Sequence, residues 1–258
     1  NSYSTNAVAA SGMTSQILML ITFLITIIHV GTNIRIVHLK AHQTSMIPKE
    51  VYHNLLFNII VSIVFTLVVG MVFSPLLHLF QVPKDIFNLT YQFGLVILSV
   101  LTLTSTQMYI GTVLRIMNYA AIATRITVIS NLTNIILNAF VLFIIPDLVG
   151  NPVLAVAYAT AISRLLGCLL AFIALLKIYR PKLHYFKINF KILYQVSTLG
   201  IPSAGEQISY NFAQTFTTAF IAMLGTQVIA AKSVATVLSG LSFSCAMAFS
   251  AACLSLIH

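Results

Sequence analysis

Long apolar runs alternate with short polar joints along this chain, and each run is about the length of a bilayer. A helix needs about 20 consecutive apolar residues to cross the hydrocarbon core. Seven runs meet that length, over residues 7–34, 53–80, 86–114, 120–145, 153–177, 193–224 and 231–257. Several exceed it, which predicts tilted helices or ends that project past the lipid. The largest polar joint, around 178–192, is too short to hold a soluble domain. Backbone crossing lipid must satisfy its own hydrogen bonds, so the pattern predicts an all-α polytopic membrane protein.

Composition agrees. The chain is 59% hydrophobic and 7% charged, with a mean hydropathy of +1.00, whereas soluble domains carry roughly 25% charged residues. The net charge of +9 would suit a nucleic-acid surface, but the basic residues fall in the joints, which makes the lipid bilayer the partner and excludes nucleic acid. Odd-numbered joints hold Arg35, Lys40, Lys49, Arg115, Arg125, Lys177, Arg180, Lys182, Lys187 and Lys191, while even-numbered joints hold only Lys84 and Lys232. That alternation supports all seven spans together and places the odd joints in the cytoplasm, with the first residues outside. Cys168, Cys245 and Cys253 sit inside apolar runs without ligand spacing and read as small buried hydrophobes.

Thr5-Asn6-Ala7-Val8-Ala9-Ala10 is echoed by Thr226-Gln227-Val228-Ile229-Ala230-Ala231 at an offset of 221 residues. Runs one and seven share an orientation and lie six spans apart, as two parallel six-helix repeats about an axis along the membrane normal require. On that arithmetic the chain is expected to be a fragment, with one helix before it and about four after it.

Polar residues inside the runs carry the candidate chemistry. Thr127, Asn131, Asn134 and Asn138 recur at i, i+4, i+7 and i+11, on one side of a helix. Amides facing lipid are costly, so the stripe must face protein or a water-filled cavity. Two readings stand: interhelical glue at about 0.6 kcal/mol per bond, or a cation or substrate pocket with amide oxygens as ligands. The sixth run has a wider polar face of Ser203, Glu206, Gln207, Tyr210, Asn211, Gln214 and Thr218. Pro202, one turn earlier, predicts a kink or local unwinding. Glu206 lies roughly 22 Å beyond Lys191 at about 1.5 Å per residue, and a carboxyl at that depth is a functional candidate. Arg164, mid-span, calls for a counter-ion or backbone carbonyls and reads as a structural clamp. Ser99, Thr102, Thr106 and Gln107 give the third run a moderately polar side. No phosphate loop, zinc-protease motif or nucleophile elbow occurs in a fitting context, so no enzyme is expected.

At these residues the sequence resembles the MATE (multidrug and toxic compound extrusion) family. Ala7-Val8-Ala9-Ala10-Ser11-Gly12 looks like the start of the family's second helix. Leu114-Arg115 through Asn134-Ile135-Ile136-Leu137-Asn138 is similar to the stretch joining its fourth and fifth. Ala155 through Arg164 resembles its sixth, Leu199-Gly200-Ile201-Pro202 with Glu206-Gln207 its seventh, and Leu224-Gly225-Thr226 with Ala230-Ala231 the following turn. The resemblance implies helices two to eight of a twelve-helix, two-lobe transporter. Residues 1–180 are then the first lobe without its first helix, 181–192 a cytoplasmic linker, and 193–258 the first two helices of the second lobe. It further implies a monomer in the bacterial inner (plasma) membrane that exports cationic amphipathic drugs in exchange for H+ or Na+ by alternating access, with no cofactor. Asn134 and Asn138, with Asn131 beside them, match the first-lobe cation site. Glu206, Gln207, Tyr210, Gln214 and Thr106 are the substrate or coupling candidates, and Arg164 and Pro202 the structural ones. A lipid-linked oligosaccharide flippase of the same superfamily would favour a basic central cavity. A seven-helix receptor fits neither the repeat nor the lack of an extracellular cysteine pair.

Overall fold

The computed structural model describes residues 2–144, 151–182, 185 and 190–257; the side chains at 2–4, 20, 23, 24, 41, 144, 190–193, 203, 204, 206–208, 211 and 247–257 lie outside that description. The described chain is helical throughout: α1 (Ser2–His42), α2 (Ile47–Leu79), α3 (Lys84–Ser99), α4 (Leu101–Ile116), α5 (Ala120–Ala139), α6 (Pro152–Ile178), α7 (Phe190–Ala222) and α8 (Thr226–Ile257). Local chemistry sets the boundaries. Proline stands in the first turn of α2 and of α6, and the Asn151 side chain caps α6 by accepting from the Val153 N–H at 3.1 Å. Gly225, at φ +100°, makes the reversal between α7 and α8, a conformation other residues rarely adopt.

Each predicted run is a helix except the third, which is two. α3 and α4 meet at a 45° bend about Val100, whose φ −102° and ψ 8° leave the helical region. The Ser99 hydroxyl donates to Val96 O at 2.7 Å and the Thr104 hydroxyl to Val100 O at 3.1 Å. Hydroxyls that bond backbone carbonyls of the preceding turn bend helices. Of the kink or local unwinding expected at Pro202, the unwinding does not occur, since α7 remains helical through it.

Among the described residues, four helices are long and apolar enough to cross a membrane, and the bent α3–α4 pair makes a fifth. Their outward faces are apolar. Val64, Leu67, Val68 and Met71 on α2, and Ile135 and Ile136 on α5, are all exposed. A contiguous apolar exterior around a partly polar interior is the arrangement lipid selects. The chain is a multi-pass membrane protein.

α1 is the central helix, packed on α2, α3, α4, α7 and α8. Its crossing with α7 depends on two glycines: a Cβ at Gly31 would strike Val196 O, and one at Gly200 would strike Ile27 O. Each glycine faces the residue one turn before the other, so the backbones approach as only small residues permit. Gly12 of α1 lies directly against Ser233 of α8, and the two are separated by the repeat's own offset of 221 residues. The two helices that carry the repeat therefore touch at positions separated by its own offset. Thr226 and Asp85 close one end of the bundle, with the Thr226 hydroxyl donating to Asp85 Oδ2 at 2.6 Å. The basic joints meet at the other end. There Lys40 donates to Ile116 O at 2.8 Å and Asn118 Oδ1 at 3.1 Å, and the Tyr52 hydroxyl donates to Tyr179 O. Burial and the nearby Tyr119 push the Tyr179 phenol above its ordinary pKa.

Candidate functional site

Two polar regions lie inside the bundle. The first joins α5 to α6. Asn134 Nδ2 donates to Thr160 Oγ1 at 3.1 Å and to Ser163 Oγ at 3.2 Å; Asn138 Nδ2 donates to Asn134 Oδ1 at 3.2 Å. The Ser130 hydroxyl donates to Ser163 O at 2.8 Å. Asn138 Oδ1 is buried and has no hydrogen-bond partner among the described residues. A π-helical turn, Phe140–Ile144, follows directly; such turns recur at functional sites.

The face of α5 that meets α6 is centred on Ser130 and Asn134, one turn apart, and Asn138 lies at its rim. Asn131 stands about 100° from Ser130 around the helix and is exposed, as is Thr127, whose hydroxyl bonds back to Ala123 O at 3.1 Å. The structure thus gathers Asn134 and Asn138 with Thr160 and Ser163 and leaves Asn131 outside. Sequence periodicity alone did not single out the two hydroxyls of α6, although their spacing of three residues places them on one face.

The polar face of α7 divides in two. Thr215 and Thr218 are buried; Gln16 of α1 donates to Thr215 Oγ1 at 3.2 Å, and Lys232 of α8 donates to Thr218 Oγ1 at 2.6 Å. Tyr210 is exposed and accepts from Gln214 Nε2 at 3.3 Å. The side chains of Glu206 and Gln207 lie outside the described residues. The α7 backbone carries them between Gly200, which meets Ile27, and Thr215, which meets Gln16. A cleft of about 280 Å³ opens between α1, α7 and α8, lined by Gly12, Gln16, Thr218, Lys232 and Ser233 among others. Lys232, assigned from sequence to a joint, is therefore a base within this cleft. Thr106 is buried in α4, and Arg164 is half-buried on α6 with no hydrogen bond or ion pair among the described residues.

The second polar region was not legible as a motif. Glu50, Asn54, Asn58 and Ser62 recur every fourth residue along α2 and are all buried. Arg35 of α1 pairs with Glu50 and also donates to Gln195 of α7. Deeper in, Asn58 Oδ1 accepts from the Ser105 hydroxyl at 2.9 Å and lies 2.9 Å from His29 Nε2. The Tyr109 ring stands 5.9 Å from the His29 ring, and its hydroxyl donates to Val51 O at 2.8 Å. The four-residue recurrence was the available signal. It was obscured because Glu50 falls in a polar joint and the other members are single polar residues in an otherwise apolar run.

Comparison with known proteins adds the following. Residues 1–140 match the MatE family model. The uncharacterized transporter YisQ of Bacillus subtilis (strain 168) is 31% identical over 237 residues, which is 89% of this chain and 51% of YisQ. A multidrug resistance MATE family transporter of the MOP superfamily, in an inward-facing conformation, superposes with a TM-score of 0.77 at 20% identity, over 92% of this chain and 54% of that one. A MATE protein in complex with MaD3S superposes with a TM-score of 0.69 at 22% identity, over 88% and 51%. The chain spans about half the length of the relatives it matches.

Proposed function

The chain belongs to the MatE family, and on that premise we propose that it forms part of a secondary active transporter that exports cationic amphipathic compounds in exchange for H+ or Na+. The observation that carries this reading is the α5–α6 cluster, with its buried, unpartnered Asn138 oxygen beside the Thr160 and Ser163 hydroxyls. Neutral oxygens of amides and hydroxyls suit a hard cation, so a bound Na+ would take Asn138 Oδ1 and those hydroxyls as ligands. The same groups are too weakly basic to hold a proton at neutral pH. Proton coupling would therefore fall to a carboxyl, and Glu206 is the candidate within a span.

In alternating access, loading such a site biases the bundle toward one of two conformations in proportion to the cation's differential affinity for them. The cleft beside the Gly12–Ser233 contact, between the two helices that the repeat relates, is where a substrate would meet both repeats. Lys232 in that cleft favours a second reading, a flippase for lipid-linked oligosaccharides, whose anionic head group would pair with the ammonium. Everted vesicles carrying the protein from its complete reading frame separate the two. Gradient-driven ethidium accumulation is expected, and Glu206→Gln should reduce its proton-driven part. Absence of ethidium transport together with lipid-linked sugar translocation would establish the second reading instead.

A further inference from the structure

The α2 ladder has a feature that the α5–α6 cluster lacks: an unpartnered donor lies beside unpartnered acceptors. Thr32 Oγ1, both polar atoms of Asn54, and Asn58 Nδ2 are buried and have no hydrogen-bond partner among the described residues. Asn54 and Asn58 are completely inaccessible, and Thr32 is 1% exposed, so no helix docking on the outside could reach them. Their partner must be small and must lie between α1 and α2. It must also accept from Asn58 Nδ2 while donating to Asn54 Oδ1. A cation fails the first requirement because amide N–H groups repel it. Water meets both.

Thr32 lies three residues from His29 on α1, and Asn54 one turn from Asn58 on α2, so Thr32 and Asn54 sit one turn nearer the basic end than the His29–Asn58–Ser105 group. One turn further on is the Arg35–Glu50 pair. From Glu50 to Ser62 the ladder rises about 18 Å at 1.5 Å per residue. We propose that ordered water lies between α1, α2 and α4 along this ladder, forming a shaft that connects the Arg35–Glu50 end to His29, so that a buried imidazole exchanges its proton with solvent. Asn58 and Ser105 hold the ring in place, Tyr109 closes the α4 side, and Ile28 with Val196 closes the α7 side. When the Nε2–H bond to Asn58 Oδ1 opens, the neutral ring takes a proton from the water chain at Nδ1 and returns the Nε2 proton to it, and the reverse sequence restores the original tautomer with no net change in charge. The site is separate from the cation cluster and does not depend on the transport reading.

The test is hydrogen–deuterium exchange at the His29 ring, followed by NMR of 15N-histidine-labelled protein in bilayers, with the resonance assigned by its loss in His29→Gln. Wild type should exchange the Nε2 proton within minutes of transfer to D2O. Asn54→Leu, which replaces the polar atoms with methyl groups, should slow exchange at least tenfold. Asn54→Ser, which keeps a hydroxyl and enlarges the shaft, should match or exceed the wild-type rate and so guards against misfolding of the leucine variant. A wild-type His29 protected for hours, or equal rates in the leucine and serine variants, would overturn the proposal.

Discussion

The α5–α6 cluster and the α1–α2–α4 shaft are both polar, both buried in one apolar bundle, and built differently. In the cluster, short hydroxyls satisfy themselves on their own helices: Thr160 bonds Val156 O and Ser163 bonds Ala159 O. The amides then add cross-helix bonds, and one rim oxygen is left over. In the shaft, the side chains reach between helices. A single amide oxygen, Asn58 Oδ1, serves two donors, and whole polar groups are left without protein partners. A region that satisfies itself tolerates substitution, whereas one organised around a shared acceptor does not.

That contrast sets an order of effects. The largest should follow loss of the ion pair at the shaft mouth. Glu50→Ala leaves the Arg35 guanidinium beside buried polar groups without its carboxylate and should lower stability by about 3 kcal/mol, read as thermal unfolding of the purified protein. Next is Asn58→Ala, which strands His29 and the Ser105 hydroxyl; at about 1 to 3 kcal/mol for a stranded group, the loss should be about 2 kcal/mol. If Asn58→Ala were as mild as a surface change, the shaft would not be organised about that oxygen. Smaller again should be the double variant Asn134→Ala, Asn138→Ala. Membrane interhelical bonds average about 0.6 kcal/mol, so its stability should fall by about 1 kcal/mol, and a larger functional loss could not be assigned to packing. The smallest effect is expected at Asn131→Ala. This exposed residue stands outside the cluster, and its removal should leave both stability and coupling near wild type.

Much of this was legible beforehand for physical reasons. Apolar runs of bilayer length admit helices only, and the basic joints do converge at one end, where Lys40 meets Ile116 and Asn118. The two stretches of the faint repeat lie side by side, with Gly12 packed against Ser233 at the repeat's own offset. The bend at Val100 was hidden because hydroxyls that compete for backbone carbonyls leave the hydropathy of a run unchanged. Asn134 and Asn138 were singled out by amide spacing. Their true partners depended on which side of α5 faced α6, and a regular stripe drifts around a helix as it lengthens. The shaft was missed for the opposite reason: its members are spread over α1, α2 and α4, and only the packing of those helices makes them neighbours.

Ethidium efflux from proteoliposomes decides whether the α5–α6 cluster couples a cation to export, as proposed above. Sodium and proton gradients would be imposed in turn on wild type and on the Asn134→Ala, Asn138→Ala variant, each expressed from the complete reading frame. The account predicts that the variant loses gradient-driven efflux by about tenfold or more, a coupling of at least ~1.4 kcal/mol, while its ethidium affinity stays within about twofold. Full gradient-driven efflux in the variant would contradict it and leave the cluster as helix packing alone.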